Sequence, residues 1–97
     1  MENILISNPD ISAVFAQNDE MALGASRAVQ ASGKNIMIAG FDGTEEGIKA
    51  LKNGNITATI AQQPNLIGSL GIETANELLS GNSVEKYIPV SLKIISQ

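Results

Sequence analysis

The chain contains neither cysteine nor histidine among its 97 residues. Disulfide bonds, metal sites built on those two residue types and general-base catalysis by histidine are therefore excluded. Positive charge is also scarce, because 6 lysines and arginines stand against 10 acidic residues and Arg27 is the single arginine. Nucleic acid is not expected as a partner, since a surface that follows a phosphate backbone needs clustered basic side chains.

Aromatic residues are rare as well, at 3% of the sequence, and tryptophan is absent. A core must therefore be built from the aliphatic residues that supply most of the 43% hydrophobic content. No apolar run approaches the roughly 20 residues of a membrane-spanning helix, so no membrane insertion is expected. Residues 1–8 carry an early acid and no basic region, which is not the pattern of a secretory signal.

Strand and helix signals alternate along the chain, whose length suits one small domain, so we predict a single domain over residues 1–97. Strands that alternate with helices imply right-handed crossovers, and hence a three-layer α/β fold with a mainly parallel sheet flanked by helices. The predicted elements are a helix over 1–8, a strand over 12–17, a helix over 19–32, a strand over 35–41, a helix from 44, a strand over 56–61, a helix from 64 and a strand over 87–95.

Side-chain periodicity predicts which residues face the core. The first two strands are continuously apolar, as expected for strands covered on both faces. The last strand alternates with Ile94 on its inner face, which is typical of a half-exposed edge strand. The helix over 19–32 carries these residues at core spacing: Met21, Ala25, Ala28 and Val29.

A polar side chain follows each of the first three predicted strands. Asn18, Asp42 and Gln62 are separated by about the length of one strand–helix unit, so parallel strands would bring them to one edge of the sheet. Open α/β sheets bind their ligands at that edge. Two amides and a carboxylate, with no nucleophile–base pair, suit the binding of a neutral polyol. We therefore predict no catalytic residue and no enzyme activity.

Each of these residues also has a purely structural interpretation. Asn18 precedes a helix and is a common N-cap residue. Asp42 suits an Asx-turn or a helix cap just before Gly43. Gln62 is no special turn former, so its position is less readily explained by local structure. The sequence pattern alone leaves both interpretations open for each residue.

Other groups of residues fit a binding site less well. Gly40, Gly43 and Gly47 lack the spacing of a dinucleotide fingerprint. The acidic pairs at 19–20 and 45–46 suit helix N-termini better than metal coordination. We therefore expect no cofactor and no metal ion.

Three segments together resemble a known family. The ribose-binding proteins of bacterial sugar ABC transporters have similar sequences in the same order as three segments of this chain, Ala13–Gly24, Gly40–Thr44 and Ala58–Pro64. The resemblance runs from about residue 2 to the end of the chain. The lactose-repressor family shares the first two motifs in its effector domain, but it usually continues differently after Gly43-Thr44 and lacks the third.

The resemblance implies a type I periplasmic binding protein fold and sugar binding for an ABC importer. It also implies that Asn18, Asp42 and Gln62 bind sugar hydroxyls, with Gln62 at the crossing between two lobes. A monosaccharide and an ABC permease are the implied partners. The parent family works in the periplasm or at the cell surface.

The chain departs from this family in length, because it resembles only the C-terminal third of a two-lobed protein. The aromatic residues that stack on the sugar and the arginines that bind it are not among the matched residues. We therefore expect weak sugar binding and a homo-oligomer formed by exchange of the helix over 64–80 or of the C-terminal strand. The alternatives are an effector-domain fragment of a lactose-repressor-type regulator and an assembly module that keeps the fold without a ligand.

Overall fold

The computed structural model describes residues 1–97 and has four helices and four strands in the predicted alternating order. All four strands are shorter than predicted, because ladder pairing covers only part of each run. The elements are α1 (Glu2–Ser7), β1 (Ala13–Phe15), α2 (Asp19–Ser32), β2 (Met37–Asp42), α3 (Glu45–Lys52), β3 (Ala58–Ala61), α4 (Pro64–Leu79) and β4 (Lys93–Ser96).

One sheet contains all four strands in the order β1-β2-β3-β4. The first three strands are parallel, and β4 pairs antiparallel with β3 so that Ala61 lies opposite Lys93. The prediction of an α/β fold with a mainly parallel sheet flanked by helices is confirmed.

The last strand corrects the sequence prediction in two ways. It begins at Lys93 and not at residue 87, because Lys93 pairs with Ala61, the last residue of the only strand that β4 pairs with. The residue that packs on the core is Ile95, whereas Ile94 is 78% exposed. Since strand side chains alternate between faces, the inner residue was misplaced by one position.

The chain divides into two compact units. The sheet unit consists of residues 1–61 and 93–97, and the helical unit consists of residues 62–92. The helical unit therefore begins directly after Ala61 and ends directly before Lys93, the two residues that face each other in the ladder. The expectation of a single domain over residues 1–97 stays a prediction.

The core of the sheet unit lies between the sheet and two helices on one face. Helix α2 packs on β2, α3 packs on β3, and the two helices pack on each other. The predicted core positions Ala25, Ala28 and Val29 are buried, but Met21 is exposed and Ala22 is the residue of that turn that faces the core. Helix α2 ends as predicted at residue 32, and it is followed by Gly33, whose φ of 68° is the left-handed conformation that favours glycine.

The opposite face of the sheet is open. Phe15 is 60% exposed, and Met37 and Ile94 on the same face are also exposed. The prediction that the first strand is covered on both faces is therefore wrong for this chain. The sheet unit has an apolar surface that its own helices do not cover.

The helical unit consists of α4 and the segment that follows it. Pro64 stands in the first turn of α4 as predicted, where its missing N–H has no intrahelical acceptor to lose. Gln63 Nε2 donates to the carbonyl oxygen of Ser91 at 2.7 Å, which links the two ends of the unit. One side of α4, together with Ile88 and Val90, lines an open cavity of about 400 Å³. No helix of the chain combines the length and apolar character needed to cross a bilayer.

Candidate ligand-binding edge

The carboxyl ends of β1, β2 and β3 lie at the same edge of the sheet, because these strands are parallel. Phe15 pairs with Ala39, and Asn18 follows Phe15 by the same number of residues as Asp42 follows Ala39. Asn18, just after β1, and Asp42, the last residue of β2, therefore occupy equivalent positions on neighbouring strands.

Asn18 caps α2. Its Oδ1 accepts a hydrogen bond from the backbone N–H of Met21 at 2.8 Å. The structural interpretation of this residue is thus realised, but the cap uses only the carbonyl oxygen of the side chain. The two Nδ2 hydrogens of the half-buried amide remain suited to donation toward a ligand hydroxyl.

Asp42 ends β2 in an unusual backbone conformation. Its φ is 109°, and no other non-glycine residue of the chain has a positive φ. Such a residue carries strain of about 1–3 kcal/mol and persists only where its surroundings hold it. The capping interpretation of Asp42 is wrong, because Thr44 is the N-cap of α3 and its Oγ1 accepts from the N–H of Gly47 at 3.0 Å.

Gly43 fixes the turn that follows Asp42. Its φ of 67° favours glycine, and an added Cβ would overlap Ala61 of the neighbouring strand. The N–H of Gly43 donates to Thr59 Oγ1 at 3.2 Å. The turn after β2 is therefore held against β3 both by close packing and by a hydrogen bond.

Gln62 follows β3 directly and is exposed as the first residue of the helical unit. The next residue, Gln63, occupies the N-cap position of α4 and makes no side-chain capping bond. The convergence of Gln62 with the other two predicted residues stays a prediction.

A buried polar cluster beneath this edge escaped the sequence prediction. Asp19 has an exposure of 0%, and its carboxylate accepts from Thr59 Oγ1 at 2.6 Å and from the N–H and Oγ1 of Thr44 at 2.8 and 3.0 Å. From the sequence, Asp19 was expected to act only as a negative charge at a helix N-terminus. A signal was present in two threonines, Thr44 at the N-cap of α3 and Thr59 within β3, but their distance from Asp19 along the chain concealed it.

Two glycines make room for this carboxylate. An added Cβ at Gly40 would overlap Asp19 Oδ1, and one at Gly47 would overlap Asp19 Oδ2. The glycines that do not fit a dinucleotide fingerprint thus have a different explanation, which is the space needed by a buried acid. Every buried side-chain N or O atom of the chain has a hydrogen-bond partner.

The edge carries the amide of Asn18 and the carboxylate of Asp42 at the carboxyl ends of neighbouring strands. No group of three or more acidic, cysteine or histidine side chains is arranged to hold a metal ion. Amide and carboxylate groups on a rigid support can bind the hydroxyls of a neutral ligand, since each hydroxyl both donates and accepts.

Residues 1–83 match the family model described as the periplasmic binding protein domain. The chain is 62% identical over 96 residues to the ribose import binding protein RbsB of Haemophilus influenzae, covering 99% of this chain and 33% of that protein. It is 54% identical over 96 residues to the RbsB protein of Escherichia coli, covering 98% and 32%.

A solved structure has the same fold. The periplasmic solute-binding protein of an Actinobacillus succinogenes ABC transporter, crystallised with bound D-allose, superposes with a TM-score of 0.91 at 32% sequence identity. The match covers 98% of this chain and 34% of that one. The chain spans about a third of the length of the relatives it matches.

Proposed function

Because the chain belongs to the periplasmic binding protein domain family, we propose that it binds a ribose-like monosaccharide as part of the solute-binding component of an ABC import system. The observation that carries the proposal is the 62% identity to a ribose import binding protein over 99% of the chain. The proposed role is binding without catalysis, in the periplasm or at the cell surface, with an ABC permease as the partner of the whole assembly.

Asn18, Asp42 and Gln62 are the proposed sugar ligands. The carboxylate of Asp42 would accept from two neighbouring hydroxyls in charge-assisted bonds, which are about twice as strong as neutral ones. Asn18 would donate through Nδ2, because its Oδ1 already caps α2. Since the chain spans a third of its relatives' length, we expect it to supply only part of a sugar's contacts.

Affinity is therefore expected to be low. Each neutral hydrogen bond that is not made removes about 1 kcal/mol, and about 1.4 kcal/mol corresponds to a tenfold change in affinity. We expect no ribose binding tighter than millimolar for this chain alone. Calorimetry that found micromolar binding would contradict this expectation.

A ribose titration followed by NMR of the isotopically labelled chain tests the proposed site. The amides that follow β1 and β2 should shift in a saturable way, and Asp42→Asn should weaken binding by removing the charge. Asp10→Asn is the matched control, because Asp10 is an exposed aspartate outside the edge. Equal ribose affinity in all three proteins would overturn the role of Asp42.

The two roles of Asn18 can be separated by substitution. Asn18→Ser keeps a good N-cap but removes the Nδ2 donors, so stability should change little while ribose binding falls. Asn18→Ala removes both and should also lower the free energy of unfolding by about 1 kcal/mol. Unchanged binding in Asn18→Ser would leave the residue with a capping role only.

The open apolar face supports a further part of the proposal, that the chain forms a homo-oligomer. Phe15, Met37 and Ile94 expose apolar surface on one face of the sheet, and such surfaces favour association. The helix over 64–80 or the C-terminal strand is the proposed element of exchange. Sedimentation that detects only a monomer at high protein concentration would refute this part.

A further inference from the structure

We propose that Asp19 is a positioning residue for sugar binding, one that does not touch the ligand but holds the turns that carry Asn18 and Asp42. The inference rests on the proposed function. It assigns a role in ligand affinity to a residue that lies entirely beneath the surface of the edge.

Asp19 connects three neighbouring segments of the edge. It is the first residue of α2 and follows Asn18 directly. Its Oδ2 accepts from the N–H and Oγ1 of Thr44, the N-cap of α3, and its Oδ1 accepts from Thr59 in the middle of β3. One side chain therefore ties the turn after β1 to the turn after β2 and both of them to β3.

The hydrogen bonds of the cluster all run toward the carboxylate. Thr59 Oγ1 accepts from the N–H of Gly43 and donates to Asp19, while Thr44 Oγ1 accepts from the N–H of Gly47 and donates to Asp19. An ionised carboxylate only accepts, so it fixes the direction of both hydroxyls. The cluster depends on the charge and not only on the shape of Asp19.

The cluster also holds the turn that follows the proposed sugar ligand Asp42. The two residues after Asp42 are each held by the cluster, Gly43 through Thr59 and Thr44 directly. Asp42 itself has a φ of 109°, which its surroundings must maintain. Weakening the cluster should therefore allow the turn to relax and move the Asp42 carboxylate.

The ends of two helices favour a negative charge at this buried position. Asp19 lies in the first turn of α2 and accepts from the N-cap residue of α3. Unpaired N–H groups give helix N-termini a partial positive charge, which stabilises a nearby carboxylate. A neutral amide at position 19 would lose this interaction.

Asp19→Asn changes the direction of the hydrogen bonds while keeping the shape of the side chain. The backbone N–H of Thr44 can only donate, so the oxygen of the new amide must face it. The NH2 group of the amide then faces Thr59 Oγ1, and the Thr59 hydroxyl has no acceptor at position 19. We expect ribose binding about tenfold weaker, as for the loss of one charge-assisted bond. We also expect a changed HN–Hα coupling at Asp42, which reports its φ angle.

Variants at position 59 provide a second test if Asp19→Asn does not fold. Thr59→Val removes the hydroxyl, and Thr59→Ser restores it, so ribose affinity and the Asp42 coupling should change in the first and recover in the second. All affinities are measured where the chain is fully folded by NMR, with Asp10→Asn as the matched aspartate control. A purely structural role would lower stability without changing the affinity of the folded protein.

The outcomes distinguish the two proposals. Ribose binding by the unsubstituted chain together with unchanged affinity in Asp19→Asn, or in Thr59→Val where Asp19→Asn does not fold, would overturn the positioning role alone. The absence of saturable ribose shifts in the unsubstituted chain would overturn the proposed function, and the positioning role with it.

Discussion

The two units of the chain differ sharply in how they use apolar residues. All the fully buried residues lie in the sheet unit, and the helical unit has none. Yet α4 carries more large aliphatic side chains than α3, whose only ones are Ile48 and Leu51. A helix buries its apolar side only when another layer covers it, so burial depends on the partner as well as on the sequence.

The largest expected difference comes from one substitution made in both units. Leu51→Ala in α3 removes a side chain that is 5% exposed, so we expect a loss of about 2–5 kcal/mol in the free energy of unfolding. Leu79→Ala in α4 removes one that is 89% exposed, and a change within about 0.5 kcal/mol is expected. Urea unfolding measures both, and similar losses would contradict the contrast between the units.

A pair of glycine substitutions should move stability in opposite directions. Gly47→Ala in α3 forces a methyl group against the Asp19 carboxylate, and we expect a loss of about 1–3 kcal/mol. Gly71→Ala in α4 meets no atom within 4 Å and improves helix propensity by about 0.5–1 kcal/mol. If thermal unfolding showed that both substitutions change the stability in the same direction, the two helix environments would be alike.

The smallest expected effect concerns backbone strain. Asp42→Gly relieves the strain of the one non-glycine residue with a positive φ, and after the added flexibility of glycine we expect a gain of about 1 kcal/mol in stability. Ribose binding should be lost at the same time. In the helical unit the one positive φ already belongs to Gly81, so no equivalent gain is available there. Calorimetric unfolding and a ribose titration check the two halves of this prediction.

Local signals were sufficient to predict much of the fold. The start of α2 at residue 19, its end at residue 32 and the start of α4 at residue 64 were predicted from local sequence, and all three are observed. The alternation of strands and helices also placed Asn18 and Asp42 at one edge. These features depend on neighbours in sequence or on the general geometry of parallel sheets.

Features that depend on distant partners could not be predicted in this way. Asp19 is buried because Thr44 and Thr59 come from other elements to meet it, and nothing next to Asp19 in sequence indicates this. Met21 was placed in the core by periodicity, but the neighbouring Ala22 occupies that position. The length of β4 was overestimated because the alternation of apolar residues extends beyond the Ala61–Lys93 pair at which the ladder ends.

The pairing of Ala61 with Lys93 makes the register of the sheet independent of everything between them. Residues 62–92 leave the sheet after Ala61 and re-enter it at Lys93, which pairs with Ala61. A change in the length of this segment therefore leaves the other pairs of the ladder unchanged. Loop-closure entropy grows only slowly, by about 0.6 kcal/mol for each doubling of length. The segment is thus a natural position for grafting a foreign sequence, because its size can be changed without shifting a single strand.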